Sequence, residues 1–422
     1  MEITLEDIRA AKRAITDVVK RTPTWSSRTL SEIAGVPAFL KMENMQRTGS
    51  FKVRGALYRM KKMSEAERSR GVIAASAGNH AQGVALGAGL AGVKATVVMP
   101  ETAAMSKISA TRGYGATVVV HGRSYDEAFQ KAVEIRDRTG ATLIHAFDDP
   151  DVIAGQGTAG LEIVEDLGKP FTLLCPIGGG GLAAGVALAV KESIPGARVI
   201  GVQAEGASAF FDSWLRGTLS PSDSAQTIAD GLAVKAPGRL TFEIGAKYLD
   251  GVVTVGDEDI AGAVLFLLER AKVLAEGAGA AATAALIAGR VSTGGMPVVA
   301  FVSGGNMDVT VLSRIIQRGL VRAGRVFNLG IVLEDRPGAL HALLGLVAQS
   351  GANVVSVEHD RLKTGTPLGS VEVRISIEIR DHQHACSLLS RLRSDGYKLV
   401  EPPQDSQEID PACGIIPEEV RP

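Results

Sequence analysis

Residues 171–190 read FTLLCPIGGGGLAAGVALAV: an apolar run, then four glycines, then an alanine-rich stretch. A short apolar run closed by glycine is predicted to be a buried strand, and the stretch after it a helix. The same strand–turn–helix phrase recurs on both sides. Strands are predicted at 71–75 (GVIAA), 94–99 (KATVVM), 116–120, 142–144, 198–202 and 297–302 (PVVAFV). Helices are predicted at 3–20, 81–91, 107–114, 125–139, 182–194, 260–272 and 278–288. Continuous Val/Ile/Ala strands alternating with helices specify an α/β fold whose parallel sheets are covered on both faces. Ligands of such sheets sit beyond the carboxyl ends of the strands.

Composition narrows the function. The chain has 422 residues, 45% hydrophobic and 22% charged, which excludes wholesale disorder. With 45 basic against 46 acidic residues, it offers no broad basic face for nucleic acid. The longest apolar stretches, such as 278–288, are too short for a membrane span of about 20 residues. The charged, amphipathic start MEITLEDIRAAKRAI does not read as a signal peptide, so a cytoplasmic protein is expected. Cys175, Cys386 and Cys413 are widely spaced, form no metal-ligand pattern and read as thiols in a reducing compartment.

Past Ser303-Gly304-Gly305 the rhythm changes. From Val326 the order strand, helix, strand, strand, helix, strand predicts a ferredoxin-like βαββαβ unit. The domain reading is a catalytic region 1–315 with a smaller subdomain of about 45–140 inserted in it. An arginine-rich linker 316–325 follows, then a second domain 326–402 and a tail 403–422 whose Pro, Asp and Glu content reads as disorder.

Four segments carry candidate chemistry, each at a strand end or helix start. The first, 48–56 (TGSFKVRGA), puts Lys52 just inside a helix start, where the helix dipole disfavours a cation and lowers its pKa. Lys52 is either an amine poised to act as nucleophile or base, or a surface lysine behind a cap. The second, Ser76-Ala77-Gly78-Asn79-His80, follows GVIAA and suits a carboxylate at a helix start; an ordinary turn capped by Asn79 is the alternative. The third, Gly178, Gly179, Gly180, Gly181 and Leu182, makes a nest of N–H groups for a phosphate. Gly178, Gly180 and Ala183 also satisfy G-x-G-x-x-A, with Glu205 about twenty residues on, so a dinucleotide-dependent oxidoreductase is a rival. The fourth, Val302-Ser303-Gly304-Gly305-Asn306, offers the neutral hydroxyl of Ser303. Glu276, at the opening of a helix, is either a dipole partner or a site neighbour. His382-x-His384 reads as a solvated helix start rather than a metal site, and Asp230-Gly231 carries no assigned chemistry.

Taken together, LKMENMQRTGSFKVRGA, ASAGNHAQGVA, PIGGGGLAAG and VSGGN resemble the threonine dehydratase (threonine ammonia-lyase) family of fold-type II pyridoxal-phosphate enzymes. The likeness covers roughly residues 3–320 and implies a tryptophan synthase β-like fold of two open α/β subdomains. The segment Asp335-Arg336-Pro337-Gly338-Ala339-Leu340 resembles the first turn of an ACT domain. By this resemblance Lys52 is the Schiff-base lysine, with Phe51 beside the cofactor ring. Asn79 meets the phenolic oxygen, 178–182 hold the phosphate, Ser303 faces the pyridine nitrogen, and Ser76 to His80 take the substrate carboxylate. The implied reaction is elimination of water from L-threonine, giving 2-oxobutanoate and ammonia, with Lys52 as general base. The family also implies a homodimer or homotetramer and a branched-chain amino-acid effector, isoleucine first, near Asp335 and Gly338.

Two departures from that family pattern bear on function. Relatives that racemise serine carry a serine where this chain has Ala77, which removes an opposite-face base. Relatives with a divalent cation place acids where this chain has Gln203 and Ala209, so no metal site is expected. Dehydration of serine or 3-hydroxyaspartate, racemisation, and a catalytically dead amino-acid sensor remain the alternatives at this level.

Overall fold

The computed structural model describes residues 3–322, 324–361 and 367–400. The chain divides into two compact units, Met1–Leu312 and Ser313–Pro422. In the first unit the strands are β1 (Thr24–Ser26), β2 (Ala38–Met42), β3 (Val72–Ala75), β4 (Ala95–Met99), β5 (Thr117–Val120), β6 (Thr142–Leu143), β7 (Thr172–Pro176), β8 (Arg198–Ala204), β9 (Gly251–Val255) and β10 (Val298–Val302). They form a six-stranded sheet of order β1-β2-β10-β7-β8-β9 and a four-stranded sheet of order β5-β4-β3-β6. Every pairing is parallel except that of β1 with β2. The central strands VVAFV and TLLCP are buried at every position, as strands covered on both faces must be.

The second unit is the antiparallel βαββαβ sheet expected. Its strands β11 (Val326–Glu334), β12 (Asn353–Asp360), β13 (Ser370–Glu378) and β14 (Lys398–Val400) lie in the order β12-β13-β11-β14. Helices Ala339–Gln349 and His382–Ser394 contribute Leu343, Val347, Leu388 and Leu392 to its core. Cys175, on β7, is a buried free thiol. The stretch 316–325, read as a linker, is helical as far as Arg322, at the end of helix Val309–Arg322. The tail read as disordered, 403–422, lies outside the described residues. Among the described residues no helix is long and apolar enough to cross a membrane.

The largest element missed by periodicity is the helix Pro150–Leu167. Its start is well specified: the Asp149 carboxylate accepts from the N–H groups of Asp151 and Val152, and Pro150 occupies the first turn. Glycines 155, 157 and 160 obscure it, because glycine in a helix ordinarily weakens it. Here they allow backbones to touch. A Cβ on Gly185, in helix Gly181–Ser193, would lie 2.3 Å from Ile153 O, and one on Gly155 would lie 2.6 Å from Gly55 Cα in helix Lys52–Lys61. The N-terminal helix ends at Ile15 rather than near residue 20, with Thr16 as its C-cap. The predicted helix 260–272 is α-helical only to Phe266; a π-turn over Leu267–Ala271 and a left-handed Lys272 (φ 60°) complete it.

Four charged side chains are buried where these elements meet. Arg54 donates twice to Glu43 (2.9 and 2.7 Å) and twice to Glu162 (2.8 and 2.9 Å). Lys41 Nζ donates to Glu162 (2.6 Å) and to Thr22 O (2.7 Å).

The glycine contacts predict opposite effects for two alanine substitutions. Gly185→Ala should destabilise the protein by about 2–3 kcal/mol, because the facing atoms are backbone and cannot yield. Gly262→Ala, in helix Asp257–Phe266 with open space around the added carbon, should instead stabilise by about 0.5–1 kcal/mol. Denaturant unfolding of the two variants measures both.

Candidate active site

The first and last of the four motifs are neighbours in space. Ser50 and Gly304 form an antiparallel bridge just beyond the carboxyl end of β10. Phe51 N–H donates to Ser303 O (3.1 Å) and Gly305 N–H to Gly49 O (2.9 Å). The second motif follows β3 and opens the helix Asn79–Ala91, and it reaches the same point. A Cβ on Gly304 would lie 2.4 Å from Glu276 Oε1, 3.1 Å from Asn79 Nδ2 and 3.1 Å from Ser50 Cβ. Asn79 Nδ2 donates to Glu276 Oε1, and Glu276 N–H donates to Gly304 O (3.1 Å). Glu276 is therefore a neighbour of the site, the second of the two readings its sequence position allowed.

Lys52 is the first residue of helix Lys52–Lys61. Its Nζ donates to Ala146 O (2.9 Å) and lies 5.2 Å from the centre of the Phe51 ring. Burial pulls the amine down to a pKa of about 8, opposed by the negative charge of Glu276. Glu276 is itself pushed up to about 7 by burial, against the Asn79 hydrogen bond and the charge of Lys107. His80 is held down at about 3, first by burial and then by Lys52, so it is neutral. Its Nε2 sits 2.9 Å from Ile144 O, which can only accept, so Nε2 carries the proton and Nδ1 is a bare acceptor. His145 is likewise shifted down by burial, and its Nδ1 accepts from Phe147 N–H and Asp148 N–H. Lys52 is thus the basic group here, between two neutral imidazoles.

The glycine turn joins the site through the segment carrying Ala146. Phe147 packs on it, so closely that a Cβ on Gly179 would lie 2.4 Å from the Phe147 ring and one on Gly181 2.9 Å from its backbone. Gly180 has φ 98°, and Gly179 O accepts from Thr241 Oγ1 (2.6 Å) and Gly238 N–H (3.2 Å). The turn therefore opens helix Gly181–Ser193 with its backbone held from behind. Ser303 Oγ donates to Ala278 O (3.3 Å). Sequence reasoning missed Phe147 and Thr241. The run HAFDD after β6 was the available signal for the first.

Other candidates resolve differently. Glu205, wanted by a dinucleotide ribose, is half-exposed and lies 3.8 Å from Arg290. Gln203 is buried and its Oε1 accepts from Phe211 N–H (2.9 Å), and Ala209 is buried too. Among the described residues no cluster of three His, Cys, Asp or Glu could hold a metal ion. His384, read as part of a solvated helix start, is buried: its Nε2 lies 2.9 Å from Ser350 O and its Nδ1 accepts from Arg380 N–H. Asp335 and Gly338 belong to the second unit, where Asp335 accepts from Arg361 (2.7 Å) and Gly338 has φ 88°.

The first-unit residues fit an aldehyde-bearing phosphate ester. They offer an amine of lowered pKa and a glycine turn at a helix start. Ser50 Oγ and His80 Nδ1 are among the six buried side-chain polar atoms that have no hydrogen-bond partner among the described residues. Because only a neutral amine attacks a carbonyl, reductive methylation of Lys52 in the cofactor-free chain should rise with a midpoint near pH 8, against the ordinary 10.5. Peptide mass spectrometry over a pH series reads this directly.

Comparison with known proteins agrees with the geometry. Residues 15–304 match the family described as pyridoxal-phosphate dependent enzyme, and residues 327–396 match the ACT domain. The chain is 49% identical over 397 residues to an L-threonine ammonia-lyase of Thermotoga maritima, covering 94% of this chain and 99% of that one. It is 46% identical to an L-threonine ammonia-lyase of Geobacter sulfurreducens, over 90% of this chain and 94% of that one. A solved structure of threonine deaminase isoform 2 from Solanum lycopersicum matches with a TM-score of 0.70 at 38% identity, over 74% of this chain and 91% of that one. The chain belongs to the threonine ammonia-lyase family of pyridoxal-phosphate dependent enzymes, and an ACT domain follows its catalytic region.

Proposed function

We propose that the chain is a pyridoxal-phosphate dependent L-threonine ammonia-lyase that forms 2-oxobutanoate and ammonia, with weaker activity on L-serine. The observation that carries this reading is the buried Lys52 amine at a helix start among the motif turns, 2.9 Å from Ala146 O and 5.2 Å from the Phe51 ring centre, where burial lowers its pKa to about 8. Pyridoxal phosphate, when bound, supplies the carbonyl that takes up an amino-acid amine and the ring that stabilises charge at its α-carbon. The N–H groups from Gly178 to Leu182 would hold the phosphate. Phe51 would lie beside the ring, Asn79 would donate to the ring oxygen, and Ser303 would face the ring nitrogen with a neutral hydroxyl. The turn Ser76, Ala77, Gly78, Asn79, His80 would hold the substrate carboxylate at a helix start.

Lys52 is the base that takes the substrate's α-proton, because it is the group there whose pKa lies near neutrality on the basic side. Neither His80 nor His145 competes, since burial lowers the pKa of both and leaves each a weaker base than the Lys52 amine. Ala77 leaves the opposite face without a hydroxyl, which favours elimination over racemisation. Lys52→Ala should keep the fold and lower ammonia release from L-threonine to below about a hundredth of wild type. A variant retaining a tenth of the rate would overturn the assignment.

The ACT domain is proposed to bind a branched-chain amino acid, isoleucine first, at the turn Glu334–Ala339. Gly338 caps the helix Ala339–Gln349 in a left-handed conformation, which presents that helix start to a carboxylate. The edge strand β12 is exposed along its whole length, with Val354, Val355 and Val357 among the exposed apolar residues, which supports a homodimer or homotetramer. This reading places the enzyme in the cytoplasm. Calorimetry of the full chain should detect isoleucine, and Gly338→Val should abolish that heat while leaving cofactor absorbance unchanged. No heat with the unaltered chain would defeat the regulatory reading.

A further inference from the structure

Asn306 ends the last motif, Val302-Ser303-Gly304-Gly305-Asn306. Its Nδ2 donates to Thr48 O (2.6 Å) and to Asn79 Oδ1 (2.8 Å). A main-chain carbonyl can only accept, so the contact with Thr48 O fixes which end of the Asn306 amide is nitrogen. That in turn fixes Asn79: the atom facing Asn306 Nδ2 must be its oxygen, and its NH₂ must face Glu276, as the Asn79 Nδ2 to Glu276 Oε1 bond shows. The orientation of Asn79 is thus dictated from the backbone of the lysine-bearing motif, through Asn306. Gly49 completes the seat. Its φ is 72°, and a Cβ there would lie 2.3 Å from Asn306 Oδ1.

We infer that Asn306 is a positioning residue that locks the Asn79 amide with its N–H groups turned toward Glu276 and the cofactor site, so that Asn79 acts there as a donor. Without Asn306 the Asn79 amide is held only by its contact with Glu276, whose carboxyl is pushed toward its neutral form by burial, and rotation by half a turn, which exchanges donor for acceptor, has little steric cost because the two ends are nearly the same size. The inference rests on the proposed contact of Asn79 with the cofactor, and cofactor binding tests it without any need for threonine turnover.

The experiment is a double-mutant cycle on the full chain, read as the dissociation constant of added pyridoxal phosphate and the wavelength of its visible band. Asn306→Ala alone should weaken binding about tenfold, the order of one lost hydrogen bond, and move the band. In an Asn79→Ala background the same change should alter binding by less than about twofold, because nothing remains to be oriented. Equal losses in both backgrounds would overturn the inference, as would wild-type binding and an unmoved band in Asn306→Ala. Should Asn306→Ala fail to fold, the isosteric Asn306→Asp runs the same cycle, since it fills the seat at Gly49 but cannot donate to Thr48 O. A chain that binds pyridoxal phosphate but leaves threonine untouched would sink the substrate reading and leave this cycle fully interpretable.

Discussion

The buried group of Lys41, Glu43, Arg54 and Glu162 is the interaction on which the catalytic unit depends. Arg54 is fully buried, and its guanidinium meets two carboxylates in paired contacts, with Thr158 Oγ1 and Lys20 O taking further N–H groups. Charges of this kind are tolerated away from water only when matched, and removing one partner of such a set typically costs about 3–5 kcal/mol. The Arg54 guanidinium beside Glu43 holds that carboxylate below its ordinary pKa, so Glu43 stays ionised. Its members come from the end of β2, the turn after it, the Lys52 helix and the long helix Pro150–Leu167. Arg54 follows Lys52 by two residues, or about 200° around the helix. The side of the helix away from the amine is therefore bolted down, and the amine inherits a fixed origin.

From that origin the electrostatics of the site follow. A lysine at a helix start, with its amine away from water, has a lowered pKa, and the two histidines nearby are driven neutral by the same dry surroundings. Glu276 moves the other way, toward about 7, so it is only a weak counterion to Lys52 near neutrality. Burial thus accounts for the acid–base character of all four groups with one cause. The hydrogen bonds then decide directions: Ile144 O sets the His80 tautomer, and Thr48 O sets the Asn306 amide.

The four motif turns were legible in the sequence because each pairs glycines or small residues with a polar group at a strand end, a pattern with few structural uses. The second unit was legible because its strands and helices keep clean periods. The helix Pro150–Leu167 was not, since its glycines serve close packing that only the partner helices reveal. The π-turn before Lys272 was equally hidden, because nothing local distinguishes it from the α-helix it ends. Phe147 escaped because its role, lying against Gly179 and Gly181, joins two segments far apart in the chain. His384 looked solvated beside Asp381, yet that aspartate accepts from the His384 N–H to cap the helix, and the imidazole is buried between Ser350 O and Arg380 N–H.

The seam where Gly155, Gly157 and Gly185 bring helices into backbone contact has a consequence for how the gene can change. Every missense change of a glycine codon adds at least one carbon to the chain. At most surface glycines that carbon enters open space, but along this seam it meets a carbonyl oxygen or another main-chain atom. These positions have no smaller residue to fall back on and no neutral neighbour in codon space. Drift in the surrounding sequence must therefore proceed around them, and a lineage that loses one can recover only by reverting it.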